Sequence, residues 1–231
     1  MFDSNVIEPL LDGALVTVEV TFLGGLLGTA MALLAGLAGF SSSAAIRGVS
    51  RTYVEFFRGT SAIVQLFWVF FGVPLVAPVL PEFIPERIVR LTPLEAGVVV
   101  LGLNMGAYGS EVVRGAIQAV GQGQREAAIA LSLSPLQRMR YVIFPQAVLA
   151  MLPPYGNLLI ELLKGTALVS LITLSDMTFE AEKLRVNGTA DSLTIYTTLL
   201  AMYFIIALMI TAVIRLLERY FARGLDIGRG A

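Results

Sequence analysis

Gly123 to Pro145, GQREAAIALSLSPLQRMRYVIFP, is the stretch on which the reading of this chain turns. It holds Arg125, Glu126, Arg138 and Arg140 within a chain that is 56% hydrophobic, and long apolar runs lie on either side of it. A basic, amphipathic stretch between two runs of membrane length reads as a surface element joining membrane helices, on the side that basic residues favour. Spacing alone leaves two readings open: a solvated connection, or a device that another protein grips.

Composition places the flanking runs in a bilayer. The 231 residues have a mean hydropathy of +0.80 and only 14% are charged, against about 25% in soluble domains. A net charge of −1 gives no whole-molecule attraction for nucleic acid. Cysteine and histidine are absent, which removes disulfides, thiol chemistry and the commonest zinc, haem and imidazole-base arrangements. No G-x-x-x-x-G-K-[ST] phosphate loop occurs, so the chain is not expected to bind and hydrolyse nucleotide by itself, and no cofactor or metal is expected in it.

Five spans are expected, at about 15–40, 60–80, 94–113, 154–174 and 192–214, with the quoted stretch inside a connecting loop at about 114–145. The first is anchored by 27 uncharged residues from Val20 to Ile46, where about 20 at 1.5 Å each cross a ~30 Å core. The residues before it carry Asp3, Glu8 and Asp12 but no basic side chain; they lack the basic region of a secretory signal, and the first span is expected to be retained. Gly24, Gly28, Ala32 and Gly36 recur every fourth residue, a small-residue face that lets another helix approach. The second run, Gly59 to Pro81, is rich in aromatics, and Pro74, Pro78 and Pro81 mark its outer end or a kink. The third has an uncharged centre of 15 residues between Glu95 and Glu111, and the fifth has 23 uncharged residues, Ser192 to Ile214. The fourth is read as beginning at Pro153-Pro154, because proline suits a first helical turn. The fold class is an all-α membrane protein of one domain, residues 1–231.

The basic residues assign the sides. Eleven of the sixteen, in the groups that follow spans one, three and five, fall on one side; Arg87, Arg90, Lys183 and Arg185 fall on the other, and Lys164 lies within a span. By the positive-inside rule the amino terminus is extracytoplasmic and the carboxyl terminus cytoplasmic, with the quoted loop inside the cell. The outer connections carry Glu82, Glu86, Asp176, Glu180, Glu182 and Asp191, read as solvated or as meeting a partner's basic rim.

Glu126-Ala127-Ala128 and the terminal Ile143-Phe144-Pro145 resemble the loop of membrane subunits of bacterial ABC importers, E-A-A, three residues, G, nine residues, I, any residue, L-P. Val142 or Ile143 lies near the isoleucine and Phe144 replaces the leucine. Ser132 stands at the glycine position, where glycine tolerates dihedrals that serine seldom adopts. Phe57-Arg58-Gly59-Thr60 leading to Val64-Gln65-Leu66, and Glu111-Val112-Val113-Arg114-Gly115, are similar to segments of the polar amino acid branch of these permeases. Asn157 through Leu168, NLLIELLKGTAL, resembles that branch's N…LLKDTSL, with Gly165 and Ala167 for aspartate and serine. Tyr53 to Ser61 and Val64 to Trp68 also look like permeases for ectoine and hydroxyectoine.

The resemblance implies a type I ABC importer permease fold in the bacterial inner membrane, with two short helices joined near Leu133-Ser134-Pro135 that dock in a cleft of a separate ATPase subunit. It implies a sister permease or second copy, ATPase subunits that carry ATP and magnesium, and an extracytoplasmic solute-binding protein. It assigns ATPase contact to Glu126, Ala127, Ala128 and Ser132, and to Arg125 and Arg138. The candidate substrate-path residues are Asn157, Glu161, Lys164 and Thr166, all in the fourth span.

Glu161 and Lys164 also stand out physically, since an isolated charge within a span costs about 2.5 to 3.5 kcal/mol on insertion scales. At i and i+3 they share a helical face, and two readings remain: a self-neutralising pair, or a path lining that offers both signs to a zwitterion. Glu111 and Arg114 form another such pair at a helix end. The function expected is the permease subunit of an ATP-driven importer of a small zwitterionic solute, ectoine or a polar amino acid, with no covalent chemistry of its own. An ion-coupled secondary transporter is the alternative; it calls for inverted repeats or interrupted helices. An intramembrane enzyme is opposed by the missing histidine and cysteine.

Overall fold

A computed structural model describes residues 4–76 and 90–224. The expectations on Pro78, Pro81, Glu82, Glu86, Arg87 and Arg229 lie outside the described residues. Among the described residues there are helices and no strands: α1 Ser4–Ala38, α2 Ala44–Gly59, α3 Ala62–Val76, α4 Pro93–Ala119, α5 Gln122–Ala130, α6 Pro135–Ile172, α7 Met177–Val186 and α8 Ser192–Gly224. Four of them, α1, α4, α6 and α8, are long and apolar enough to cross a membrane, and α2 with α3 makes a fifth candidate, bent by 104°.

The small residues of α1 set the central seam. α1 and α4 run side by side in the same direction as the most extensive helix pair. A Cβ on Gly28 would lie 3.0 Å from the Gly102 carbonyl oxygen, and one on Gly36 only 2.7 Å from Val113 Cβ. Reciprocally, a Cβ on Gly106 would lie 2.7 Å from Met31 Cβ, and one on Gly109 2.7 Å from Ala32 Cβ. Without those side chains the backbones approach closely enough for dispersion along the whole seam, which is what associates helices in lipid.

α2 was not anticipated as a separate helix. Arg47, Arg51, Glu55 and Arg58 fall on one face and Ile46, Val49, Tyr53 and Phe56 on the other, the pattern of a helix between polar and apolar surroundings. Ser50 Oγ donates to the Ala35 carbonyl at 2.8 Å and Tyr53 Oη to the Leu103 carbonyl at 2.7 Å, tying α2 to α1 and α4. The chain then turns at Gly59–Ser61 into α3, which contains a π-turn over Trp68–Gly72. The second span was expected from about residue 60; α3 begins at Ala62.

α6 starts earlier than its prolines suggested. Ser134 and Gln137 form a capping box, with Ser134 Oγ accepting from the Gln137 amide and Gln137 Oε1 from the Ser134 amide at 2.8 Å, and Pro135 takes the first helical position, where its missing donor costs nothing. The helix passes through a π-turn at Met139–Ile143 and continues over Pro153 and Pro154, both exposed. The expected pair of short helices is therefore one short helix, α5, and the first turns of α6. The last turns of α6, Thr166–Ile172, tighten to 3₁₀ geometry.

α6 packs antiparallel to α4 and α8 antiparallel to α6: Leu162 lies on Gly24 and Tyr155 against Gly109, while Ile214 lies on Gly156. One buried cluster gathers Val20, Leu66, Val100, Leu101 and Leu162 between α1, α3, α4 and α6, and a second gathers Ala32, Val113, Ile117, Ala147 and Met151 near the α5 end. At the opposite end, α7 packs on α1 so closely that a Cβ on Gly13 would sit 2.8 Å from the Asp176 backbone. Fully buried Asp176 caps α7 by accepting from the Phe179 amide at 2.9 Å, and burial raises its carboxyl pKa. The acidic residues of this connection are paired rather than simply solvated: Glu180 with Lys183, and Glu182 with Arg185 and the Tyr196 hydroxyl, which together hold the Glu182 carboxyl down at about 2.

Candidate functional site

Two regions hold the candidate functional side chains, one at the α5 end and one halfway along the bundle. In the first, α5 follows α4 after Val120 and Gly121. Arg125 turns back toward it, donating from Nη2 to the Ile117 carbonyl and from Nε to the Val120 carbonyl, so its charge sits where α4 has left acceptors unpaired. Arg125 thus fastens α5 to the bundle. Glu126 and Ala127 are exposed, with Glu126 Oε1 accepting from Gln122 Nε2 at 2.7 Å. Ala128, in contrast, is 2% exposed and belongs to the packing beneath α5. Of the two alanines, only Ala127 is available to another protein.

Ser132 adopts the conformation for which the glycine position stands. Its φ is 57°, the Ser132 amide donates to the Ile129 carbonyl at 2.8 Å and the Leu133 amide to the Ala128 carbonyl at 3.1 Å, the two bonds that close a helix with a left-handed residue. The serine backbone makes the glycine turn at a cost of about 1–2 kcal/mol. Arg138 Nε is shielded from water and has no hydrogen-bond partner among the described residues. Around these groups Ile129, Leu131 and Leu136 are 55%, 74% and 77% exposed. The sequence reading passed over these three; their signal was an apolar side chain at the turn of a short surface helix.

The second region is a cavity of about 140 Å³ between α3, α4 and α6, lined by Ala62, Asn104, Tyr108, Glu161, Gly165 and Leu168 among others. Glu161 is the charged residue in its wall. Lys164, one turn away, lines a different space, an apolar groove between α6 and α8 with Tyr196 and Tyr203. No ion pair joins Glu161 to Lys164 among the described residues. Asn157 is exposed on the same side of α6, whereas Thr166 is fully buried with its hydroxyl donating to the Leu163 carbonyl at 2.7 Å. The four path residues therefore do not come together: Glu161 faces the cavity, Asn157 is accessible, Lys164 lines a second groove and Thr166 is committed to the start of the 3₁₀ turn.

Asn104, in the wall of this cavity, and Gln65, which it approaches, were not singled out as site residues. The bend between α2 and α3 leaves carbonyls without helical donors, and buried Gln65 answers them: its Nε2 donates to Thr60 Oγ1 at 2.7 Å and lies 3.2 Å from the Phe57 carbonyl oxygen. Asn104 Nδ2 donates to the same Phe57 carbonyl at 3.2 Å and approaches Gln65 Oε1 at 3.4 Å. A broken helix in a bilayer survives only where its backbone groups are satisfied by protein, and here the repair also fixes one wall of the cavity. Below it, a wider cleft of about 530 Å³ opens between α1, α2 and α4, with Arg47, Arg51, Glu55, Arg58, Glu111 and Arg114 in its walls. Glu111 and Arg114 pair, as do Arg51 and Glu55.

Residues 24–227 match the model of the binding-protein-dependent transport system inner membrane component family. A probable amino-acid ABC transporter permease protein of Sinorhizobium fredii is 46% identical over 219 residues, covering 95% of this chain and 90% of that protein. The glutamine transport system permease protein of Escherichia coli is 34% identical, over 94% of this chain and 97% of its own. A crystal structure of an amino acid ABC transporter with histidines superimposes with a TM-score of 0.81 at 34% identity, over 93% of this chain and 94% of that one. The MetNI methionine ABC transporter, at 19% identity and a TM-score of 0.78, shares the fold. These relatives are transport permease subunits rather than enzymes, and membership implies a membrane together with ATPase and solute-binding protein partners. The chain belongs to the binding-protein-dependent transport inner membrane family, has the type I importer permease fold, and is a multi-pass permease subunit of a bacterial amino acid ABC importer.

Proposed function

We propose that this subunit conducts a small zwitterionic amino acid, handed over by an extracytoplasmic binding protein, past the cavity at Glu161 and out through the arginine-lined cleft toward the cytoplasm. The observation that carries the reading is the position of Glu161: a carboxylate in the wall of a half-open cavity midway along a membrane bundle, with Asn104 and Tyr108 opposite. A carboxylate within a span and without a partner there is by default a candidate binding group.

ATP drives the cycle from outside the chain. Separate ATPase subunits grip α5 through Glu126, Ala127 and the apolar rim of Ile129, Leu131 and Leu136, with Arg138 supplied a partner on docking. Their closure moves α5, and Arg125 carries that motion into α4. The amino terminus is extracytoplasmic and the carboxyl terminus cytoplasmic, supported by the distribution of basic residues. An amino acid is favoured over ectoine by the names of the relatives, which include glutamine and L-cystine permeases.

Uptake into ATP-loaded proteoliposomes containing the whole complex, with radiolabelled L-glutamine, L-histidine, L-cystine and ectoine, tests the solute. Saturable amino acid uptake lost in Glu161→Gln supports the reading. Selective uptake of ectoine would replace it, and unchanged uptake in Glu161→Gln would remove the cavity from the path.

A further inference from the structure

A cavity that offers one carboxylate can hold the ammonium end of an amino acid but leaves its α-carboxylate without a countercharge. Lys164 was the expected answer, and its place in the groove between α6 and α8, beside Tyr196 and Tyr203, takes it away from Glu161. Another cation is stacked on the ring of Tyr108, a residue of the cavity wall. Arg58 ends α2 immediately before the bend, and its guanidinium carbon stands 5.4 Å from the centroid of the Tyr108 ring. Tyr108 lines the cavity that holds Glu161, while Arg58 lines the wider cleft beneath it. The stacked pair therefore has one member on each space.

The other charges of the lower cleft are occupied. Arg51 is paired with Glu55 and Arg114 with Glu111, and Arg47 donates from Nη1 to the Ser41 and Ser42 carbonyls at 2.7 and 2.9 Å. Arg58 makes no ion pair among the described residues and is held by the ring face alone. An exposed cation–π contact is weak, whereas a guanidinium forks onto a carboxylate through two parallel hydrogen bonds. Exchange of ring for carboxylate is favourable without disturbing a salt bridge.

Resting on the amino acid reading above, we propose that Arg58 is the carboxylate-binding residue of the translocation path. It releases Tyr108 to take the α-carboxylate of a solute whose ammonium lies at Glu161, and that release opens the cavity into the cleft. Specificity for an amino acid over an amine then comes from the α2–α4 contact, not from Glu161 and Lys164 on α6.

The test is ATP-dependent uptake by the reconstituted complex of L-glutamine, L-histidine and L-arginine, each compared with its α-carboxamide, which keeps the ammonium and lacks the carboxylate. Wild type is expected to import at least one of the acids and to reject its amide. Arg58→Gln is expected to lower uptake of the acid at subsaturating concentration about 10- to 100-fold, the range for a lost charge-assisted hydrogen bond, and to leave the amide unchanged, so the preference collapses. Arg58→Lys keeps the charge without the fork and is expected to retain part of the preference even if Arg58→Gln does not assemble; Lys164→Met is expected to retain all of it. An intact preference in an assembled Arg58→Gln complex, a preference abolished in Arg58→Lys, or one abolished in Lys164→Met would overturn the assignment of Arg58. A wild-type complex that imports none of the acids would overturn the amino acid reading and this inference with it.

Discussion

Replacing Gly106 by alanine adds one methyl group to a tight part of the α1–α4 seam. That Cβ would stand 2.7 Å from Met31 Cβ, 2.7 Å from Tyr53 Oη and 3.1 Å from the Gly28 carbonyl oxygen. Carbon atoms rest at about 3.5–4.0 Å, so the helices must part by roughly 1 Å, and Met31 Cβ cannot swing aside because it is fixed to its backbone. A radial gap of that size forfeits about a quarter to a half of the dispersion energy of each contact it opens. Overpacking by one methylene costs about 1–3 kcal/mol, and the displaced Tyr53 hydroxyl also loses its bond to Leu103. Gly115, on the same helix with nothing within 4 Å of its Cβ position, supplies the matched control, where alanine gains about 1 kcal/mol of helix propensity. Thermal unfolding of the purified complex in nanodiscs should therefore rank Gly115→Ala above Gly106→Ala, at about 2–4 °C for each kcal/mol. In the double variant Tyr53→Phe/Gly106→Ala, part of the loss should return, a coupling read from the double-mutant cycle. Equal stability of Gly106→Ala and Gly115→Ala would refute the seam as the organising contact.

Ser132→Gly should relieve the left-handed strain and slow hydrogen exchange at the Leu133 amide by a factor of about 5, equivalent to about 1 kcal/mol; faster exchange would show that the serine side chain supports the turn. Gln65→Leu should destabilise the complex by about 0.5–1.5 kcal/mol, because the Thr60 hydroxyl and the Phe57 carbonyl at the bend each lose the hydrogen bond from Gln65 Nε2, and a neutral result in thermal unfolding would contradict the repair of the bend by this side chain. Asp176 tests pH dependence outside the spans. Burial raises its folded pKa above the unfolded value of 3.8, so the folded state binds the proton more tightly. The destabilisation from burying its charge is absent below pH 3.8, grows as pH rises between the two pKa values, and is complete above the folded one. Asp176→Asn, whose amide still caps α7, should lose that slope; an unchanged difference in melting temperature across the window would count against the burial argument.

The spans were legible where hydrophobic length decided them, as in α1, α4 and α8, and the glycine seam followed from its four-residue spacing. The extent of α6 was obscured by Pro153 and Pro154, since proline suits a first helical turn but is also tolerated inside a membrane helix. α2 was hidden because its charges were counted as loop residues, although their spacing from Arg47 to Arg58 is helical. In the site, Glu161 was visible as a charge within a span. Its separation from Lys164 was not, because i and i+3 neighbours on one helix can face different spaces once α4 and α8 pack on either side. Asn104, Gln65 and the Arg58–Tyr108 stack depend on contacts between residues far apart in sequence, which no local pattern encodes.

The central claim is that this chain moves solute only as the permease of an ATP-driven complex, and uptake by reconstituted vesicles tests it most directly. Vesicles holding the complete complex and binding protein should accumulate radiolabelled amino acid only with internal ATP and magnesium. Accumulation should vanish when this chain is omitted and fall sharply when the α5 contact is altered by Glu126→Ala. Accumulation driven by a proton or sodium gradient with this chain alone, in the absence of ATP, would contradict the account.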